Sequence, residues 1–346
     1  MNLSFKRQVF LLMYHDFPKS LICKLILLNR EFNMKNILIA DDLHENIFPM
    51  LSDLGFEVNY QPNINRSEIL EIIKDYEGLI IRSKTKVDKE FLAHCDKLEF
   101  IGRAGAGLDL IDLEEVSSRN IKVFAANEGN SVAVAEHTMG MILMLLNKLN
   151  HADSEVRQGI WEREKNRGIE LAGMTIGIIG YGNMGIALAQ RLMGFEVKVM
   201  AYDKIEKKTH EYGFYSEKAT MNEIFEEADL VTIHVPLTDE TRMMVNDDFI
   251  KQFKKNIFIV NTSRGEVAST ESVLKGLQSG KIRGACLDVL ENEKLSKLTL
   301  YQEAVYSQLF KLKNVIITPH IAGWTVESYR KINEVLVEKI QDMLGK

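Results

Sequence analysis

One stretch constrains the fold more than any other in the 346 residues: Thr175-Ile-Gly-Ile-Ile-Gly180-Tyr-Gly182-Asn-Met-Gly185. An apolar run that reads as a buried strand meets a G-x-G-x-x-G turn, and an apolar helical pattern, Ile186–Met193, follows at once. The three glycines have separate physical tasks. Gly180 permits the tight turn, Gly182 lets backbone approach a pyrophosphate, and Gly185 allows the helix to pack closely on the strand. The helix start adds unpaired N–H groups and a partial positive charge. The next strand ends in Asp203, eighteen residues past Gly185, where an acid can accept ribose hydroxyls. A dinucleotide is the expected ligand. A carboxylate at 203 suits NAD and repels the extra phosphate of NADP. Lys204, Lys207 and Lys208 either soften that repulsion or lie solvated on the surface. NAD is the expected cofactor.

The surrounding chain supplies the sheet that such a turn needs. Ile37–Ala40, Leu79–Arg82 and Glu99–Arg103 read as strands between polar or amphipathic stretches. After Gly173 the rhythm restarts with Thr175–Ile179, Glu196–Tyr202, Leu230–Val235, Ile257–Asn261, Gly284–Leu287 and Val315–Thr318. Strands alternating with helices predict parallel sheets, hence an α/β chain with two domains. Val132–Asn150 reads as one long helix, too apolar to lie on a surface. Hydrophobic residues at 46% and charged residues at 27% are ordinary for a globular chain. A net charge of −6 excludes a generally basic nucleic-acid binder. No apolar run approaches the ~18–20 residues of a membrane span. Cys23, Cys95 and Cys286 have neither zinc nor disulfide-scaffold spacing, so no metal is expected and a reducing, cytoplasmic setting fits. Residues 1–33 lack the single apolar core and small-residue cleavage site of a secretory signal. Met34 opens a buried-strand pattern, so residues 1–33 are expected to be an upstream extension or a flexible arm.

The chain holds only 5 prolines, and two of them, Pro236 and Pro319, end predicted strands. Open α/β sheets bind ligands just beyond the carboxyl ends of strands, although a proline there can also be a plain strand terminator. His234 and His320 stand beside these prolines as candidate acid–base groups. Asn261-Thr262-Ser263-Arg264-Gly265 lies at another strand end, where the forked guanidinium of Arg264 suits a carboxylate. Leu287-Asp288-Val-Leu-Glu291-Asn-Glu293 adds acids at a fourth.

Together these motifs resemble the D-2-hydroxyacid dehydrogenase family, specific for D-isomers, over residues 34–346. The matching segments are the glycine turn with Asp203, His234-Val235-Pro236-Leu-Thr, Asn261-Thr262-Ser263-Arg264-Gly, Leu-Asp288-Val and Thr318-Pro-His320-Ile-Ala-Gly323. The resemblance implies two Rossmann-like doubly wound domains, the nucleotide domain (133–322) being inserted into a discontinuous substrate domain (34–132 and 323–346). It implies a catalytic set of Arg264, Glu293 and His320. It also implies a cofactor held by Gly180, Gly182, Asn183, Met184, Gly185, Asp203, His234, Val235, Pro236, Thr262, Ser263 and Asp288, the last near the nicotinamide. The family usually has proline after its glutamate, whereas Lys294 follows Glu293, so Glu291 stays a weaker competitor for that role. The stretch Glu293–Tyr306 also looks longer than usual.

The residue types fit the implied chemistry. Histidine as a residue type exchanges a proton near working pH, so His320 suits the base, Glu293 can orient its ring, and Arg264 can hold a carboxylate. Gly78-Leu-Ile-Ile-Arg82-Ser83-Lys-Thr-Lys and Gly102-Arg103-Ala-Gly105-Ala106-Gly-Leu-Asp109 resemble the phosphoglycerate dehydrogenase branch. Arg82, Ser83, Arg103, Gly105 and Ala106 are therefore the expected substrate residues, with a phosphate gripped by the two arginines. The bland alternative pairs those arginines with an acid such as Asp109. Glu136 and His137 look catalytic by type, yet near a helix start a structural role is favoured. Trp161 and Trp324 are expected to pack, Trp324 with the option of walling the cleft. The expected function is NAD-dependent oxidation of 3-phosphoglycerate. The alternatives are a broader hydroxypyruvate or glyoxylate reductase and an NAD-sensing binding protein. A homodimer is expected, with no nucleic-acid or membrane partner. Two domains use residues 34–346 in full, so no appended regulatory domain and no serine inhibition through one are expected.

Overall fold

The structure is a computed structural model that describes residues 34–205 and 213–345; the expected extension 1–33, with Cys23, and Lys207 and Lys208 lie outside them. The chain divides into two compact units. One runs to Ala104, resumes over Leu110–Ala125 and finishes with the segment from Asn333; the other comprises Gly105–Asp109 and Ala126–Ile332.

The first unit is a five-stranded parallel sheet in the order β2-β1-β3-β4-β5. Its strands are β1 (Lys35–Ile39), β2 (Phe56–Tyr60), β3 (Gly78–Ile81), β4 (Phe100–Arg103) and β5 (Lys122–Ala125). Apolar β1, β3 and β4 form the buried centre. Strand order reverses between β1 and β3, the switch point where such sheets open a crevice. The helix Val326–Met343 contributes its later turns, with Leu336 and Ile340 fully buried. Asn333 donates to the carbonyl of His44 at 2.9 Å, and Lys339 donates to that of Ala125 at 2.7 Å.

The second unit is a seven-stranded parallel sheet in the order β12-β11-β10-β9-β6-β7-β8. Its strands are β6 (Thr175–Ile179), β7 (Lys198–Tyr202), β8 (Glu217–Lys218), β9 (Leu230–Ile233), β10 (Ile257–Asn261), β11 (Ile282–Leu287) and β12 (Val315–Ile317). The order reverses at β6/β9, so the glycine turn after β6 sits at the switch point. Each sheet face carries its own apolar core, as a parallel sheet with helices on both sides requires.

The helix expected over Val132–Asn150 spans Ser131–Leu146 and stops there. Asn147 folds its side chain back to the carbonyl of Leu143, and Lys148 turns left-handed at φ 52°. A second helix, Leu149–Arg157, leaves at 61° and buries none of its residues. No single helix among the described residues is long and apolar enough to cross a membrane. Trp161 and Trp324 are exposed rather than packed. Both lie outside helix and strand.

Candidate active site

The glycine turn has the three-part geometry that its spacing predicts. Gly180 adopts φ +93°, and a Cβ on it would lie 2.6 Å from the carbonyl oxygen of His234. A Cβ on Gly185 would lie 2.4 Å from the carbonyl oxygen of Gly180, so helix and strand touch through hydrogen alone. A Cβ on Gly182 would meet nothing within 4 Å. Gly182 is also the N-cap of the helix Asn183–Leu192 and offers no side-chain cap. The middle glycine thus faces open space beside uncapped N–H groups of Asn183, Met184 and Gly185. These residues fit a dinucleotide. Asp203 stands at the end of β7 and accepts the N–H of Tyr181 at 2.8 Å and of Ile205 at 2.9 Å. Lys204 is engaged by Glu240. At the end of β9, the N–H of His234 donates to the carbonyl of Ile179 at 2.8 Å as the last bond to β6, and Val235 and Pro236 follow beyond the strand. The ring of His234 shares a hydrogen bond with Thr232 at 2.9 Å, while its buried Nδ1 has no partner. Burial pushes this imidazole down to about 4.

The next three strand ends carry the reactive groups. After β10, Asn261 is the anchor of the turn. Its Oδ1 accepts the N–H and hydroxyl of Ser263 at 3.0 and 2.8 Å, and its Nδ2 donates to the carbonyl of Arg264 at 3.0 Å. Thr262 shares a hydrogen bond with Thr138 at 3.3 Å. Arg264 donates through Nε to Asp109 at 2.8 Å and through a terminal nitrogen to the carbonyl of Ser263 at 2.7 Å. Its other terminal nitrogen lies 1.6 Å from the point a Cβ on Gly107 would occupy. Gly105, at φ +146°, and Ala106 open the short segment that carries Gly107 and Asp109.

After β12, His320 adopts φ +56° and meets Glu293 through Nδ1, at 2.9 Å to one carboxylate oxygen and 3.1 Å to the other. Both side chains are about half exposed, at 44% and 46%. Asp288, at the end of β11 and 1% exposed, underlies this loop. Its carbonyl accepts the N–H of His320 at 2.7 Å, and its carboxylate accepts the N–H groups of Ile321 and Ala322, each at 2.9 Å. The hydroxyl of Thr318 adds a fourth bond, 2.6 Å to Oδ1. Asp288 therefore builds the platform on which His320 stands. His137 extends that network: its Nε2 lies 3.1 Å from the hydroxyl of Thr318 and 3.6 Å from Asp288. Glu136, its neighbour, is 3.6 Å from Arg191. Glu291 accepts the N–H of Thr270 at 2.7 Å, which ties it to a helix start and leaves Glu293 beside the histidine.

The first unit holds a separate cationic cluster. Arg82, Ser83 and Arg103 lie at the carboxyl ends of β3 and β4. The N–H of Arg82 donates to Asp41 at 2.6 Å, and Arg103 donates to the carbonyl of Ala104 at 2.6 Å. Asp41, at the end of β1 and 6% exposed, escaped the sequence reading. Burial pushes its carboxyl above the usual carboxylate range, against the pull of its bond from Arg82 and of the charges on Lys84, Arg103 and Arg82. Asp109, the acid considered as a partner for these arginines, is bonded to Arg264 instead. Its signal was its place in Gly107-Leu-Asp109, but nothing in that spacing names a partner 155 residues away.

Residues 139–322 match the family described as D-isomer specific 2-hydroxyacid dehydrogenase, NAD binding domain, which makes NAD the cofactor of the glycine turn. The chain is 36% identical over 312 residues to a D-3-phosphoglycerate dehydrogenase of Methanocaldococcus jannaschii, covering 90% of this chain and 58% of that protein. It thus spans a little over half the length of that relative. Over 283 residues it is 35% identical to a hydroxypyruvate reductase of Thermotoga maritima, covering 82% of this chain and 90% of the reductase. Among solved structures, a D-lactate dehydrogenase from Aquifex aeolicus, complexed with NAD and lactic acid, matches with a TM-score of 0.76 at 27% identity, over 90% of this chain and 95% of that one.

Proposed function

We infer the reaction from one premise: the chain belongs to the D-isomer specific 2-hydroxyacid dehydrogenase family. We propose that it oxidises D-3-phosphoglycerate to 3-phosphohydroxypyruvate, the entry to serine biosynthesis, and catalyses the reverse reduction. The observation that carries the reading is the His320–Glu293 pair, at 2.9 Å. With Nδ1 committed to Glu293, Nε2 is the nitrogen that exchanges the C2 hydroxyl proton. The carboxylate of Glu293 stabilises the imidazolium formed in oxidation and fixes the tautomer. Arg264, held from behind by Asp109, offers its remaining donors to the substrate carboxylate. Gly182, Asn183, Met184 and Asp203 would hold the dinucleotide, and NAD when bound supplies the hydride acceptor. Arg82 and Arg103, with Ser83, Gly105 and Ala106 on the same substrate-binding segments, supply the cations for a phosphate. The homodimer, the two-domain assignment with a substrate and a nucleotide domain, and a cytoplasmic setting belong to the same proposal. The apolar residues Leu149, Val156, Ile160 and Trp161, all exposed, support the dimer.

The match to a hydroxypyruvate reductase along 90% of its length supports a second reading, reduction of unphosphorylated 2-keto acids. NADH oxidation by purified protein with 3-phosphohydroxypyruvate, hydroxypyruvate and glyoxylate in parallel separates the two. Preference for the phosphorylated acid is expected, and equal or better rates on the others establish the second reading. NADH binding without turnover on any acid would make the protein a binding module. His320→Asn is expected to lower kcat by about 10²–10⁴-fold while NADH affinity persists.

A further inference from the structure

Glu293 is half exposed, so burial does not hold its carboxylate against His320. An exposed ion pair contributes only about 0–1 kcal/mol and does not by itself order two side chains. What holds Glu293 must therefore be its backbone, and the structure assigns that task to its neighbour. We propose that Asn292 and Tyr306 are positioning residues that keep Glu293 in register with His320; this rests on the reading of His320 as the proton carrier.

Asn292 makes a bond through every polar group that bears on the turn. Its N–H donates to the hydroxyl of Tyr306 at 2.9 Å, on the N-terminal side of Glu293. Its Oδ1 accepts the N–H of Lys294 at 3.0 Å, on the C-terminal side. The side chain thereby closes a small ring around Glu293, an Asx turn. Its Nδ2 donates to Gln302 at 3.2 Å, and Gln302 is itself fixed in the capping box that Thr299 begins. Tyr306 is 2% exposed and belongs to the core of its sheet face, on the helix Leu300–Leu309. The helix after Glu293 is thus the mount for the turn: a buried hydroxyl reaches out of a rigid core to grip the residue beside the carboxylate. Lys294 suits this arrangement because its N–H is a required donor, and proline has none.

Tyr306→Phe deletes one oxygen and keeps the ring in the core. A carboxylate held against an imidazole favours its charged, proton-donating form. Loosening the Glu293–His320 contact is therefore expected to move the alkaline limb of kcat for reduction toward lower pH. With hydroxypyruvate and NADH as the probes, Tyr306→Phe is expected to lower kcat about tenfold, shift that limb downward and leave KM within about twofold. The same substitution in a Glu293→Gln background is expected to have no further effect on kcat or on the limb, because its route of action is gone. Among the described residues, Asp288 and His137 beneath the His320 loop and Glu291 and Lys294 beside the turn are unchanged in every variant. Should Tyr306→Phe fold poorly, Asn292→Ala opens the same turn from the solvent side and must move the limb in the same direction. An unmoved limb in either variant, or an equal loss of kcat with and without Glu293, overturns the proposal. Full activity of His320→Asn, by contrast, would overturn the underlying reading and the proposal with it, whereas an unmoved limb with His320→Asn inactive overturns the proposal alone.

Discussion

Arg264 works only if its guanidinium is aimed, and the aim comes from what lies behind it. Asp109 takes Nε, Ser263 takes one terminal nitrogen, and the bare backbone of Gly107 makes room for the other. A methyl group at 107 would occupy the same space as that nitrogen and crowd the Asp109 carboxylate at 2.4 Å. Gly107→Ala is therefore expected to lower kcat/KM by about 10²-fold, the typical cost of displacing a positioned group by an ångström. NADH affinity should stay within experimental error; loss of NADH binding alongside activity would indicate general misfolding. Arg264 was legible in the sequence because arginine, acid and histidine stand together at successive strand ends of one sheet. Its partner was not, since side-chain pairing across 155 residues leaves no trace in local spacing. The same holds for Asp288, whose carboxylate is spent on two backbone N–H groups and a hydroxyl.

At the scale of elements, the strands that the sequence hid are all at sheet edges. β2 and β5 bound one sheet and β8 bounds the other. Phe56–Tyr60, Lys122–Ala125 and Glu217–Lys218 are partly exposed, so they lack the continuous apolar run that marks a strand buried on both faces. Central strands such as Ile257–Asn261 announce themselves by that run. The break after Leu146 was hidden for the opposite reason: two polar residues, Asn147 and Lys148, do not stand out at the end of an apolar helix. The glycine turn was fully legible because each glycine answers a separate steric demand, and those demands differ enough to test. Gly182→Ala fits the fold without contact, so its melting temperature should equal the wild type while NADH binds at least about tenfold more weakly, roughly 1.4 kcal/mol. Gly185→Ala drives a methyl group into the carbonyl of Gly180 and should lower the melting temperature itself. Equal effects of the two on stability would refute the assignment of separate roles.

For the whole molecule, stability and function pull apart at Asp41. Its raised folded-state pKa means that the protonated acid favours the fold. That contribution is complete below the ordinary value of 3.8 and is lost as pH rises through the raised one. At neutral pH the ionised, buried carboxylate thus costs stability, which fits a group retained for the arginines around it. Asp41→Asn keeps an oxygen for the N–H of Arg82. It is expected to melt above the wild type at pH 8, with the difference closing toward pH 4. A lower melting temperature at pH 8 would show that attraction to Arg82, Arg103 and Lys84 outweighs the burial.

The segmentation of the chain has a consequence for how the protein is made. Strands β1 to β5 leave the ribosome early, yet Leu336 and Ile340, which cover their sheet, are among the late residues to emerge. Domains fold largely as units during synthesis. The part of the sheet that these two side chains cover must therefore stay open until Ala126–Ile332, the long stretch of the second unit, has been synthesised.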